Sequence, residues 1–381
     1  MLNQEEVSSR QGNKIIEQKE HFHGSDLEKI EQIYHIKKED ITSFSANVNP
    51  LGISYKLKNT LANHIDAITS YPDRDYSSLR ESIAAYIHGE KEHILVGNGS
   101  TELISNFISI LAPKKALLLA PTYSEYEREI TLCGGTYEYY VLDKEKNFTV
   151  PVDDFLSKLT DDLDLFLLCN PNNPTSTTLN VDEIRQIMTV CKEKGIYVII
   201  DETYVEFVED IQQITAIPLV KEFDNLTILR GISKFFAAPG LRLGYAVCGN
   251  QPLLEEIKEK KNPWTINSLA SIAGEIMFTD ETYIKETRTF IAAERKRLCS
   301  KLSACEFFKV YPSTANFVLV EIKKEGISAF DLFETAIRKG LMIRDCSTFQ
   351  NLGDSFFRFC FMSSEKNDEL MHVLLDYMNK N

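Results

Sequence analysis

Between about residue 55 and residue 250, short apolar runs alternate with stretches whose apolar positions recur every three or four residues. The runs His93–Gly97, Ala116–Ala120, Leu165–Cys169, Ile196–Ile200, Leu226–Arg230 and Leu243–Cys248 are mostly apolar throughout rather than alternating. Strands covered on both faces read this way, whereas a strand with one wet face alternates. The stretch Val181–Lys194 reads as an amphipathic helix. Asn180 is its cap, Glu183 follows three residues on, Ile184, Ile187, Met188 and Cys191 share one face, and Gly195 ends it. Strand–helix alternation of this kind predicts an α/β fold with a largely parallel sheet.

After residue 250 the pattern changes. A helical stretch runs to about Lys261, breaks at Pro263, resumes after Asn267 and continues as charged helical pattern to about Leu302. Strand-like pieces follow at Phe317–Ile322, Leu341–Asp345 and Phe356–Met362, and a last helix begins near Ser364 with Leu370, Met371, Leu374 and Met378 inward. The chain is therefore divided into a polar, mobile arm over 1–22, a segment over 23–55 packed with the small domain or in the cleft, a large domain over 56–262, and an interdomain helix with a small α+β domain over 263–381.

Composition narrows the function. Hydrophobic residues are 43% and charged residues 26%, the balance of a soluble globular protein. A formal net charge of −14 argues against a nucleic-acid partner, which needs a basic face, but not against a small anion held by a few arginines. The eight cysteines are scattered without a C-x-x-C pair, the first six residues hold no apolar signal core, and no apolar run nears membrane length. The expectation is a cytoplasmic protein with no membrane partner. No histidine spacing suits a metal; the pair His21 and His23 in the arm is too little.

Candidate chemistry falls at the predicted strand ends, where ligands bind in open α/β sheets. Gly97-Asn98-Gly99-Ser100-Thr101-Glu102 opens a helix after a strand, and free N–H groups there suit a phosphate. Read alone, it is more often an ordinary capped turn. Ala120-Pro121-Thr122-Tyr123 places an aromatic ring just beyond a strand, where it can stack on a flat heterocycle or simply pack. Cys169-Asn170-Pro171-Asn172-Asn173-Pro174-Thr175 is a rigid turn that can aim Asn173 at a phenolic oxygen. In Ile200-Asp201-Glu202-Thr203-Tyr204, an aspartate ends a buried strand, a costly position unless a cation or helix end meets it. Lys234 lies in Ser233-Lys234-Phe235-Phe236-Ala237-Ala238-Pro239-Gly240-Leu241-Arg242, among small and apolar neighbours. Desolvation and a nearby cation would lower its pKa and free the amine for imine chemistry.

Each signal alone is modest; their order and spacing together are specific. From about Phe44 to Met362 the series resembles the fold-type I aminotransferase superfamily of enzymes that use pyridoxal 5′-phosphate. The resemblance implies a large domain with a mostly parallel central sheet and a smaller α+β domain. It implies that Lys234 links to the cofactor aldehyde and that Asp201 pairs with the pyridine nitrogen. Asn173 and Tyr204 would bind the ring oxygen, and Tyr123 would stack on the ring. Ser100, Thr101, Ser233 and Arg242 would hold the phosphate. Tyr71, in Tyr71-Pro72-Asp73, matches a tyrosine lent to the neighbouring subunit, which implies a homodimer. Arg358 matches the arginine that binds the substrate α-carboxylate. Two positions depart from the pattern: Gly231 stands where many relatives carry a phosphate-binding serine, and Ser176 stands where the Asn-Pro-Thr turn continues with glycine.

Arg344 is a second arginine near the predicted cleft, otherwise readable as a surface ion pair. It resembles a substrate-phosphate ligand of the branch that includes histidinol-phosphate aminotransferases and L-threonine-O-3-phosphate decarboxylases. His23-Gly24-Ser25-Asp26, the stretch Phe44–Gly52 and Pro263-Trp264-Thr265-Ile266-Asn267 look more like the decarboxylases. By the same likeness His23, Asn49 and Asn316 are substrate-side candidates, and a small phosphorylated amino acid is the implied substrate. The expected reaction is decarboxylation of threonine phosphate, with transamination as the alternative.

Overall fold

A computed structural model describes Phe22, Gly24 and residues 26–381. The arm predicted over 1–22 thus lies, apart from Phe22, outside the described residues.

The central sheet has seven strands: β1 Ile94–Gly97, β2 Lys115–Ala120, β3 Thr136–Val141, β4 Leu165–Cys169, β5 Tyr197–Asp201, β6 Leu226–Gly231 and β7 Gly244–Cys248, in the spatial order β1-β7-β6-β5-β4-β2-β3. Pairs β6–β5, β5–β4, β4–β2 and β2–β3 are parallel, and only β7 runs against its neighbours β1 and β6. Every residue of β4, β5, β6 and β7 is buried. Successive side chains separate cleanly: Leu118, Leu167, Ile199 and Leu229 pack with Leu103, Ile104 and Phe107 of the helix Ser100–Leu111, while Leu117, Phe166, Val198, Ile200 and Ile228 enter the core on the other face. The helix Val181–Lys194 is closed at its start by a full capping box from Asn180 and Glu183 and at its end by Gly195 at φ +72°. That cap contributes about 1 kcal/mol.

β3 has no counterpart in the sequence reading. It lies at the sheet edge, pairs only with β2, and its Thr-Tyr-Glu-Tyr-Tyr-Val side chains are exposed or half-buried. No apolar run marks such a strand.

A four-stranded sheet follows, with β8 Phe308–Val310, β9 Phe317–Ile322, β10 Arg344–Asp345 and β11 Phe356–Cys360 in the order β10-β11-β9-β8, all antiparallel. The single strand anticipated over Leu341–Asp345 is divided. Leu341–Met342 pairs instead with Thr42–Ser43, and only Arg344–Asp345 joins the four-stranded sheet. An apolar run does not encode which partner each half takes. The segment from Thr42 to Asn49 passes between the two sheets: Cys360 N donates to Phe44 O at 2.8 Å, Asn316 Nδ2 to Asn47 O at 2.9 Å and Asn49 N to Lys234 O at 2.9 Å. The last helix, Ser364–Lys380, buries Leu370, Met371, Leu374 and Met378. Among the described residues, no helix is long and apolar enough to cross a membrane.

Candidate active site

A cavity of about 340 Å³ opens where the carboxyl ends of β1, β2, β4, β5 and β6 meet the four-stranded sheet. Ser100, Thr101, Tyr123, Asn173, Asp201, Tyr204, Ser233, Lys234, Arg242, Arg344 and Arg358 all line it.

Asp201, the last residue of β5, is buried at 4% exposure. Its carboxylate accepts from Tyr126 Oη at 2.8 Å, Thr203 N at 2.9 Å and Thr203 Oγ1 at 2.5 Å. Burial nevertheless raises its pKa, more than these bonds lower it. A protonated ring nitrogen is the kind of partner that offsets such a cost. Tyr126 lies in the helix Glu125–Leu132 and is not among the candidates drawn from the sequence.

Lys234 follows β6 by three residues, and its Nζ donates to Ala46 O at 2.7 Å. Burial first, then the charge of Arg358, lowers its pKa to about 8. A substantial fraction of the amine is therefore unprotonated and nucleophilic near neutral pH.

The phosphate cradle is built from close backbone approaches. Gly99 precedes the helix Ser100–Leu111 at φ +83°, and no side chain caps that end. A Cβ on Gly99 would stand 2.5 Å from Arg242 Nη2, and one on Gly244 would stand 2.5 Å from Ser100 N. Only glycine permits both contacts. Free helix N–H groups, the hydroxyls of Ser100, Thr101 and Ser233, and the Arg242 guanidinium meet here. Gly231 differs from those two glycines. A Cβ there would lie 3.5 Å from Ser100 Oγ, an ordinary contact, so the space for a side chain is present and unfilled.

Asn173 accepts a hydrogen bond from Arg358 Nη1, and Tyr204 Oη accepts one from Asn47 Nδ2 at 3.2 Å. Tyr123 stands edge-on to Tyr126 with ring centroids 5.5 Å apart, and burial raises its hydroxyl to about 12, so it stays neutral.

The two arginines anticipated on the substrate side are direct cross-strand partners, Arg344 on β10 and Arg358 on β11. Such partners project from the same face with Cβ atoms about 5 Å apart. Arg358 is 5% exposed, donates from Nη2 to Ser45 O at 2.7 Å and lies 5.3 Å over the Phe317 ring. Arg344 is 7% exposed, donates to Phe22 O and, at 2.9 Å, to Thr348 Oγ1, and lies 5.4 Å over Phe349. Burial, and to a lesser degree Arg358, lowers the Arg344 pKa. Like charges set opposite each other are destabilising unless an anion joins them. Four buried polar atoms of lining residues also lack a partner among the described residues: Ser45 Oγ, Asn47 Oδ1, Gln350 Oε1 and Arg358 Nε.

Several anticipated residues are not brought to this cavity. Asn49 is turned away: its Nδ2 donates to Phe235 O at 2.8 Å, Tyr283 Oη at 2.9 Å and Thr287 Oγ1 at 3.0 Å, so it anchors backbone and helix instead of facing substrate. Asn316 is fully buried and holds the Asn47 carbonyl, acting one residue behind the wall. Tyr71, anticipated at the neighbouring subunit's site, is 81% exposed and lies outside this subunit's cavity, its ring tilted at 39° to Trp264 with centroids 4.9 Å apart. His23 lies outside the described residues. Conversely, Thr203, Thr348 and Gln350 line the cavity unanticipated, and Ala46 and Asn47 come from the segment expected with the small domain or in the cleft.

The uncapped helix end, the buried Asp201 carboxylate and the Lys234 amine fit a phosphorylated pyridine aldehyde. Residues 39–374 match the family described as Aminotransferase class I and II, and the chain belongs to that family. It is a pyridoxal-phosphate-dependent enzyme, and a solved neighbour of the same fold (TM-score 0.82) is in complex with that cofactor. The chain is 31% identical to the threonine-phosphate decarboxylase of Salmonella typhimurium, covering 92% of this chain and 95% of the relative. It is 30% identical to the histidinol-phosphate aminotransferase of Methanocaldococcus jannaschii, covering 92% and 93% respectively. The crystal structure of the histidinol-phosphate aminotransferase of Clostridium acetobutylicum is similar over 89% of this chain and 99% of its own, at 34% identity and a TM-score of 0.83.

Proposed function

We propose that the enzyme decarboxylates L-threonine O-3-phosphate to (R)-1-aminopropan-2-yl phosphate, the amine used for the cobalamin side chain. The observation that carries this reading is the cross-strand pairing of Arg344 and Arg358 on one wall of the Lys234 cavity. A small substrate bearing a carboxylate and a phosphate a few bonds apart neutralises both arginines at once. Histidinol phosphate carries the phosphate but no carboxylate, and so engages one arginine with an anion.

Bound pyridoxal phosphate supplies an electron sink that weakens a bond at the substrate's amine-bearing carbon. The Asp201 carboxylate would meet the cofactor's ring nitrogen and favour its protonated form. Arg358, fixed by Ser45 O and Asn173, orients the carboxylate, and Arg344, fixed by Phe22 O and Thr348, orients the phosphate. Lys234 Nζ returns a proton to the carbon after carbon dioxide leaves. Release of carbon dioxide from threonine phosphate without 2-oxoglutarate supports the reading. Formation of glutamate from histidinol phosphate and 2-oxoglutarate, with no carbon dioxide, contradicts it.

The proposed enzyme is a cytoplasmic homodimer. Leu51, Tyr55, Ile65, Ile68, Tyr71 and Trp264 are all exposed, a group of large apolar side chains that a second subunit would cover. Sedimentation at micromolar concentration is expected to give a dimer. A fully active monomer contradicts it.

A further inference from the structure

The turn that carries Asn173 continues into Ser176, a fully buried residue with φ +61°. A non-glycine side chain in the left-handed region is disfavoured unless its surroundings hold it there. The surroundings here are a loop of the other sheet. Ser176 Oγ accepts from Thr314 N at 2.9 Å and Ala315 N at 2.8 Å, and Ser176 O accepts from Thr314 Oγ1 at 2.7 Å. Ser176 Oγ also donates to Ser313 Oγ at 3.5 Å, so four bonds tie the cofactor-side turn to the loop that enters β9.

That loop leads directly to the residues around the substrate arginine. Asn316 Nδ2 holds Asn47 O at 2.9 Å, and Asn47 in turn donates to Tyr204 Oη. The Phe317 ring lies under the Arg358 guanidinium and against Tyr204, with centroids 5.0 Å apart. Arg358 also donates to Asn173, three residues before Ser176. A closed circuit results: Ser176, the 314–315 amides, Phe317, Arg358, Asn173.

We propose that Ser176 is a positioning residue whose hydroxyl fixes the 313–317 loop to the Asn173 turn and thereby sets where Arg358 meets the substrate carboxylate. The proposal rests on Arg358 being the carboxylate ligand. It touches neither cofactor nor substrate, so its loss acts on substrate affinity before cofactor affinity.

Two variants of the holoenzyme test it. Ser176→Ala removes the acceptor and leaves the half-buried Thr314 amide and the buried Ala315 amide without it. Ser176→Gly also removes it but relieves the left-handed backbone, so its thermal stability is expected to stay near that of the parent enzyme. In both, hydrogen exchange at Thr314 and Ala315 is expected to speed up about tenfold or more, since a buried donor without an acceptor is costly. KM for whichever phosphorylated amine the enzyme turns over is expected to rise about tenfold, with kcat within about threefold and cofactor affinity within about twofold. Unchanged exchange or an unchanged KM in Ser176→Gly overturns the proposal, as does an equal loss of cofactor affinity. The exchange measurement needs no substrate, so it stands even if threonine phosphate proves inert and only the functional reading fails.

Discussion

Lys234→Ala is expected to lower turnover by about 10⁴-fold, because in the proposed reading one side chain both captures the cofactor aldehyde and moves the proton at the reacting carbon. Among the described residues the cavity offers no second amine, and the lysine Nζ is placed by its bond to Ala46 O. The absorbance of the lysine-bound cofactor would vanish while free cofactor still binds through the phosphate cradle and Asp201. A pH dependence follows from the same group. Its folded pKa, about 8, is below the usual lysine value, so the unprotonated fraction rises through that pH. Capture of added cofactor by the apoenzyme is expected to quicken as pH is raised from 7 to 9. A variant retaining more than about a tenth of the parental rate contradicts the assignment.

Arg358→Gln is expected to lower kcat/KM by about 10³-fold, corresponding to about 4 kcal/mol, through loss of a buried bidentate cation. The substitution also leaves Asn173 and Ser45 O without their donor, so some of the loss comes from a loosened wall. Steady-state kinetics with a full KM determination separate the two contributions. Arg358→Lys keeps the charge but not the planar fork, and is expected to recover only a small part. A carboxylate held chiefly by Arg344 would instead leave Arg358→Gln within a few-fold of the parent.

Much of the cofactor side was legible in the chain because its residues sit at the ends of buried apolar strands, and such strands announce themselves. Asp201 closes β5 and Lys234 follows β6, as their positions after apolar runs suggested. The substrate side was less legible. Arg344 and Arg358 are fourteen residues apart in sequence, and only the antiparallel register of β10 and β11 makes them neighbours. Asn49 and Asn316 were placed near the cavity, but the direction of an amide depends on distant partners such as Tyr283 and Thr287, which no local pattern reveals. Ser176 stood out only as a departure from a turn motif; its three bonds to the 314–315 segment come from a loop well over a hundred residues later. Tyr126 illustrates the same limit from the other side. It is a buried residue of the helix Glu125–Leu132, yet its hydroxyl also holds Asp201.

The pairing of two arginines on one wall makes the identity of the departing group the central question. Mass spectrometry of a single incubation of the holoenzyme with L-threonine O-3-phosphate addresses it directly. The account predicts aminopropanol phosphate, lighter than the substrate by one carbon dioxide, in the absence of any oxo-acid acceptor. A 2-oxo acid phosphate formed only when an acceptor is added would contradict it.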